Sequence, residues 1–261
     1  MSDRVSLKIE SGVAHVALNR ANKRNALDLD MFKAIHATQQ QLQTIKGVRT
    51  VILTGAGEDF CSGLDVKSMM SNRRAMITLL WKWLPWQANL AQRMSVGWRR
   101  LPFPVIAVIQ GRCWGGGLQI ALGADFRLAH IQASLSIMES KWGLIPDMGG
   151  SIALREMTHL DQACRLTMTA ETIDAVKAKQ LGLLTEVCND PLKEAMSLSD
   201  QLKQRSPDSL ALIKRLYHKN WNSSEGKALG RETFYQWKNL AGKNQSIAVR
   251  RQKGEDIDYR Y

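Results

Sequence analysis

The chain has 261 residues, of which 44% are hydrophobic and 23% charged, and carries a formal net charge of +12. That length suits one large core, or a core with a helical appendage, and that balance excludes an intrinsically disordered chain. No apolar run reaches the length of a membrane span; the longest, around "FPVIAVIQG", is strand-sized.

Cys61, Cys113, Cys164 and Cys188 are scattered with no CxxC pair, which fits reduced thiols and excludes a disulfide frame or zinc site. "MSDRVSLKIE" has no signal-peptide core and "DIDYRY" is no peroxisomal address, so the expected location is the cytoplasm, with no membrane partner. The basic residues are dispersed, with short doublets such as Arg99-Arg100 and Arg250-Arg251. Solvated faces and a polyanionic partner both fit that pattern.

Val5, Leu7 and Ile9 alternate with polar residues, Ser11-Gly12 turns, and Ala14, Val16 and Leu18 alternate again, which predicts a β-hairpin. In "ALDLDMFKAIHATQQQLQTI", Phe32, Ile35, Leu42 and Ile45 recur at helical spacing behind early aspartates that suit a helix N-terminus. "RTVILTGAG" reads as a buried strand, and "EDFCSGLDVKSMM" as a turn that begins a helix. Residues 67–100 are basic, rich in methionine, and hold Trp81, Trp83, Trp86 and Trp98.

After Pro102 and Pro104, "VIAVIQG" is a second buried strand. "CWGGGLQIALGAD" follows as a glycine turn opening a helix, then short strands in "FRLA" and "SLSIM". From Gly150 onward the pattern is helical apart from "LLTEV". Recurrent strand, strand, helix argues for an α/β fold. The expected division is a core over residues 1–200 and a helical appendage over 201–261.

Two glycine-bearing turns carry the chemistry. "FCSGLD" and "CWGGGLQ" each follow a buried strand and lead into a helix, so each offers backbone N–H groups with no helical acceptor. Brought together, one N–H from each could grip a carbonyl oxygen as negative charge develops on it. Tight strand–helix packing alone also explains such glycines. There is no GxxxxGK[ST], no GxSxG and no HExxH, and the GxG at Gly115 and Gly117 is followed by Ile120, which breaks the dinucleotide fingerprint.

"VALNRANKRNAL", "VILTGAGEDFCSGLDV", "PVIAVIQGRCWGGGLQIALGADFRLA", "ESKWGLIPDMGG" and "AKQLGLLTEV" together resemble, in order over residues 5–190, the crotonase family of enoyl-CoA hydratases and isomerases. The resemblance implies a spiral of strand-strand-helix turns, with C-terminal helices that build a homo-trimer or a dimer of trimers. It implies an acyl-CoA substrate, coenzyme A being part of that substrate, and no metal or redox cofactor. The oxyanion donors would be the N–H groups of Leu64 and Gly116. Ser62, Gly63, Asp65, Trp114 and Gly115 would contact substrate in the same turns. Lys67 matches a lysine near the CoA phosphates, and Lys23 and Arg24 a loop that borders the nucleotide; solvated surface charge explains these three equally well.

Hydratases of this family use two glutamates. The first position here is Gln119, which cannot move a proton, and the second is Glu139. Asp147 stands eight residues after Glu139, a spacing that resembles the family's dienoyl-CoA isomerases. Those carry an Asp where Gln119 stands, so neither pattern is complete. Asp147 could instead cap the helix in "GGSIALREM".

Trp114, Trp142 and the tryptophans of residues 67–100 could line and roof an acyl pocket, or be core and subunit-contact aromatics. The favoured expectation is an acyl-CoA isomerase in which Glu139 removes the proton and Asp147 returns it. A hydratase relying on Glu139 is the nearest alternative. A basic RNA-binding relative is the alternative of another class, and the sequence holds no lysine comb or basic-aromatic interleaving to support nucleic acid as a partner.

Overall fold

The computed structural model describes residues 3–70 and 73–260. The hairpin forms from β1 (Val5–Glu10) and β2 (Val13–Leu18), paired antiparallel across Ser11-Gly12. α1 (Leu29–Thr44) is capped by Asp28, whose side chain accepts the Met31 N–H, and it buries Met31, Phe32, Ile35 and Leu42 along one face.

β3 (Thr50–Gly55) then lies parallel to β2, Val13 opposite Thr50 and Leu18 opposite Gly55. Two short helices, α2 (Val66–Met70) and α3 (Arg73–Leu80), precede α4 (Leu90–Arg99). Asn89 and Gln92 close a reciprocal capping box on α4, which turns Ala91, Met94 and Trp98 into the core. All five residues of β4 (Val105–Ile109) are buried, as expected of a parallel strand covered on both faces.

β5 (Arg112–Trp114) leads into α5 (Gly116–Leu122), every residue of which is buried. β6 (Phe126–His130) returns to the main sheet, and β7 (Ser134–Ser136) pairs with β5. α6 (Gly150–Met157), α7 (Leu160–Thr169), β8 (Thr172–Asp174), α8 (Ala175–Gln180) and β9 (Glu186–Cys188) follow. The main sheet runs β1-β2-β3-β4-β6-β9, and a smaller sheet runs β5-β7-β8. β8, with Thr172 and Asp174 exposed around Ile173, is three residues long and too short for its alternation to be read from sequence.

The two faces of the main sheet are filled differently. Val51 and Leu53 of β3 point to the principal core with α1, α4 and α5, whereas Ile52 joins Val13, Ile106, Val108 and Leu128 on the reverse face. α9 (Pro191–Lys203) covers that reverse face through Ala195, Met196, Leu198 and Leu202. The expected division at residue 200 falls inside this helix.

α10 (Pro207–Asn220), α11 (Glu225–Leu240) and α12 (Lys243–Gln252) complete the helical C-terminal region. Lys214 of α10 is driven into the core. Its Nζ donates to the carbonyls of Trp98 and Phe103 at 3.0 Å and pairs with Asp125 at 2.7 Å.

Trp98 is fully buried and Trp81, Trp83 and Trp86 are exposed, at 64%, 85% and 78%. No described helix is long and apolar enough to cross a membrane.

Candidate active site

The sheet does bring the two glycine turns together. Asn25 sets the first one. Its side-chain oxygen accepts the Arg20 N–H at 2.8 Å, and its amide donates to the carbonyls of Ala56, Asp59 and Phe60. The chain then stitches to β5. The Cys61 N–H donates to the Arg112 carbonyl and the Trp114 N–H to the Cys61 carbonyl, both at 2.9 Å. Leu27 clamps the other edge, donating to Gly63 O and accepting the Asp65 N–H.

The glycines are needed for distinct reasons. Gly115 sits at φ +51°, ψ −123°, a conformation closed to side-chain-bearing residues, while its N–H donates to the Ser136 carbonyl at 2.8 Å. A Cβ on Gly117 would stand 2.6 Å from the Cys61 carbonyl oxygen, so this glycine lets α5 lie against the first turn. A Cβ on Gly116 would meet Leu27 and Met148 side chains at 2.8 Å. Among the described residues, neither the Leu64 nor the Gly116 N–H donates to a protein acceptor, and both residues line one cavity. That is the arrangement expected of an oxyanion hole.

The cavity has a volume of about 420 Å³. Its walls are largely apolar, from Phe32, Leu79, Ala91 and Met148, with Ser62, Gly63, Trp114, Gly115 and Trp142 also on its surface. Small-molecule pockets are typically apolar with a few convergent polar groups. Here those include the two N–H groups and two carboxylates, Glu139 and Asp147, with Ser62 and Lys141 also on the lining.

Glu139 opens the short 3-10 turn Glu139–Trp142 after β7 and is buried. Its Oε1 accepts the Gln119 amide at 2.5 Å, and its Oε2 is buried with no partner. Burial pushes its carboxyl above the ordinary range, the nearby Asp147 charge adds to that, and the Gln119 hydrogen bond opposes it. Asp147 also lines the cavity; it is more exposed than Glu139, and partial desolvation raises its carboxyl too. It does not cap α6: the N-cap there is Gly149, with no side-chain bond.

Gln119 does not reach the cavity. It is 2% exposed, behind Glu139, where its Oε1 accepts the N–H groups of Met148 at 3.0 Å and Gly150 at 3.1 Å. Asp65 is also turned away. Arg20 donates to its Oδ2 at 2.8 Å and the Ser68 N–H to its Oδ1 at 3.3 Å. Burial works against its ionisation, but those bonds and the charges of Arg20 and Lys23 hold its pKa below the usual range.

Lys23, Arg24 and Lys67 are exposed outside the cavity. Of the described residues in 67–100, Met76, Leu79, Leu80 and Ala91 line the cavity and the tryptophans do not, which favours the second of the two readings of those aromatics. Trp98 is consumed by the core, Trp86 borders a neighbouring surface pocket shared with Asp147, and Trp81 and Trp83 face outward. The sequence reading missed Arg20, Asn25 and Met148, which hold the first turn and back the second. The polar run "NRANKRNAL" was the available signal for the first two.

Among the described residues, two unpartnered backbone N–H groups and two carboxylates thus line one largely apolar cavity. A model of the enoyl-CoA hydratase/isomerase family matches residues 8–247, and the chain belongs to that family. It is 31% identical over 202 residues to the enoyl-CoA hydratase EchA19 of Mycobacterium tuberculosis, covering 77% of this chain and 74% of that one. It is 28% identical over 239 residues to the 1,2-epoxyphenylacetyl-CoA isomerase of Escherichia coli, covering 90% and 89%. The crystal structure of an enoyl-CoA hydratase from Bacillus anthracis superposes with a TM-score of 0.88 at 26% identity, covering 98% of each chain. The architecture is the crotonase fold.

Proposed function

We propose that the protein shifts a double bond along an unsaturated acyl-CoA. The carrying observation is that Glu139 and Asp147 are the carboxylates lining the cavity, while Gln119, locked behind them, has no proton to give. The thioester oxygen sits between the Leu64 and Gly116 N–H groups. Glu139 Oε2 takes the proton from the carbon beside the thioester, and the electron pair moves onto that oxygen as an enolate. Asp147 returns a proton farther along the chain, and the carbonyl reforms.

An oxyanion donor of this kind contributes about 2.7–4 kcal/mol to such a transition state. A carboxyl whose pKa is raised by desolvation is a stronger base once ionised than an ordinary carboxylate. Coenzyme A enters as part of the substrate, and we assign the exposed cations Lys23, Arg24 and Lys67 to its phosphates. The exposed apolar residues of α10 and α11, such as Tyr217, Phe234 and Trp237, suit a homo-oligomer.

A second reading, enoyl-CoA hydration with Glu139 activating water, is favoured by the names of relatives such as EchA19. Ultraviolet absorbance separates the two. Rising long-wavelength absorbance with a 3,5-dienoyl-CoA supports the isomerase. Falling short-wavelength absorbance with a 2-enoyl-CoA alone replaces it with the hydratase.

A further inference from the structure

We propose that Gln119 is a positioning residue that reserves one oxygen of Glu139, Oε2, as the basic atom of the site. This rests on the reading of Glu139 as the base, which both reactions above share. The assignment follows from donors and acceptors. The N–H groups of Met148 and Gly150 can only donate, so the Gln119 oxygen must face them, and its NH₂ must face Glu139. That NH₂ donates to Oε1 at 2.5 Å. The hydrogen bond stabilises charge on Oε1 and makes it the less basic of the two oxygens. Oε2, buried and unpartnered, is left as the atom that collects the substrate proton.

The step is a transfer from carbon to Oε2. The C–H bond breaks, its electron pair enters the enolate, and an O–H bond forms on Glu139. During it the Gln119 bond to Oε1 persists, so the carboxyl does not rotate. The lock is built into the packing, since a Cβ on Gly150 would stand 2.8 Å from Gln119 Oε1. It also joins the two halves of the site. Met148, held through its N–H by Gln119, has its Sδ against Gly116 on the oxyanion turn.

Two variants test this, assayed on whichever substrate the wild-type protein turns over. Gln119→Met keeps the bulk and removes the donor; kcat should fall about ten- to hundredfold, the value of a hydrogen bond to a charged group, with KM little changed. Gln119→Glu is isosteric and donates only while protonated. Its kcat relative to wild type at the same pH should approach one at low pH and fall as pH rises.

A readout independent of turnover is the carboxyl titration of Glu139, followed by ¹³C NMR with Glu139→Gln for assignment. It should move to higher pH in Gln119→Met, because a bond to the ionised form is lost. Unchanged kcat, a loss confined to KM, or an unmoved Glu139 titration overturns the proposal. If Gln119→Met does not fold, the pH profile of Gln119→Glu decides alone. If the wild type hydrates rather than isomerises, the proposed function fails while the Gln119 variants still report on the lock.

Discussion

Gly117 tests whether the two turns must touch. In Gly117→Ala the new Cβ would lie 2.6 Å from the Cys61 carbonyl oxygen, whereas ordinary contact begins at 3.4 Å, so the backbones must part by 0.8 Å. The obstacle is backbone tied into β5 by two hydrogen bonds of 2.9 Å, not a side chain that can swing aside. Overpacking of this kind costs about 1–3 kcal/mol of stability. Because Leu64 and Gly116 sit on the two parting turns, their N–H groups lose their common focus. A misplacement near 1 Å costs about 10²-fold in rate, and loss of one oxyanion donor about 10²- to 10³-fold.

Gly116→Ala is the internal comparison. Its obstacles are the ends of the Leu27 and Met148 side chains, so it should lose less stability than Gly117→Ala. Guanidinium unfolding and steady-state kinetics on an enoyl-CoA measure both quantities. Wild-type kcat in Gly117→Ala, or equal stability losses in the two variants, would refute the reasoning.

Glu139→Gln should abolish turnover yet raise the thermal midpoint, and increasingly so with pH. A folded-state pKa above the ordinary 4.5 means the native state holds its proton more tightly than the unfolded one. Wild-type stability is therefore full below that value and declines as pH rises through the folded pKa, a decline the amide escapes; a midpoint difference flat from pH 4 to 8 would contradict this. Lys214→Ala strands Asp125, half-buried and left with the Val105 N–H and His218, and should cost up to about 3–5 kcal/mol by chemical denaturation. A loss under about 1 kcal/mol would mean that water replaces the ammonium. Asn25→Ala leaves the Arg20 N–H and three carbonyls without their partner and should cost about 1–3 kcal/mol, with kcat lowered through the first turn; unaltered kinetics would remove Asn25 from the site's support.

The sequence determined the hairpin, the buried strands, α1 and the two glycine turns, because each is written in local periodicity or in a residue only one conformation favours. β2 alternates, β4 is apolar throughout, and Gly115 adopts a backbone no other residue takes easily. The membership of Glu139 and Asp147 in one pocket was legible through their place in the motif. Three things were decided by tertiary structure alone. β8 exists because β7 offers it a ladder, not because Thr172–Asp174 has strand character.

The tryptophans of residues 67–100 divide between core and surface because Trp98 lies on the buried face of α4 while Trp81, Trp83 and Trp86 lie in the connection between α3 and α4, and composition is silent about that. Gln119 could be read as an anomaly in sequence. Its role depends on Met148 and Gly150, 29 and 31 residues away, whose N–H groups orient its amide and so choose the oxygen of Glu139 that stays free. A hydrogen bond has a direction that residue type does not carry, and folding supplied it.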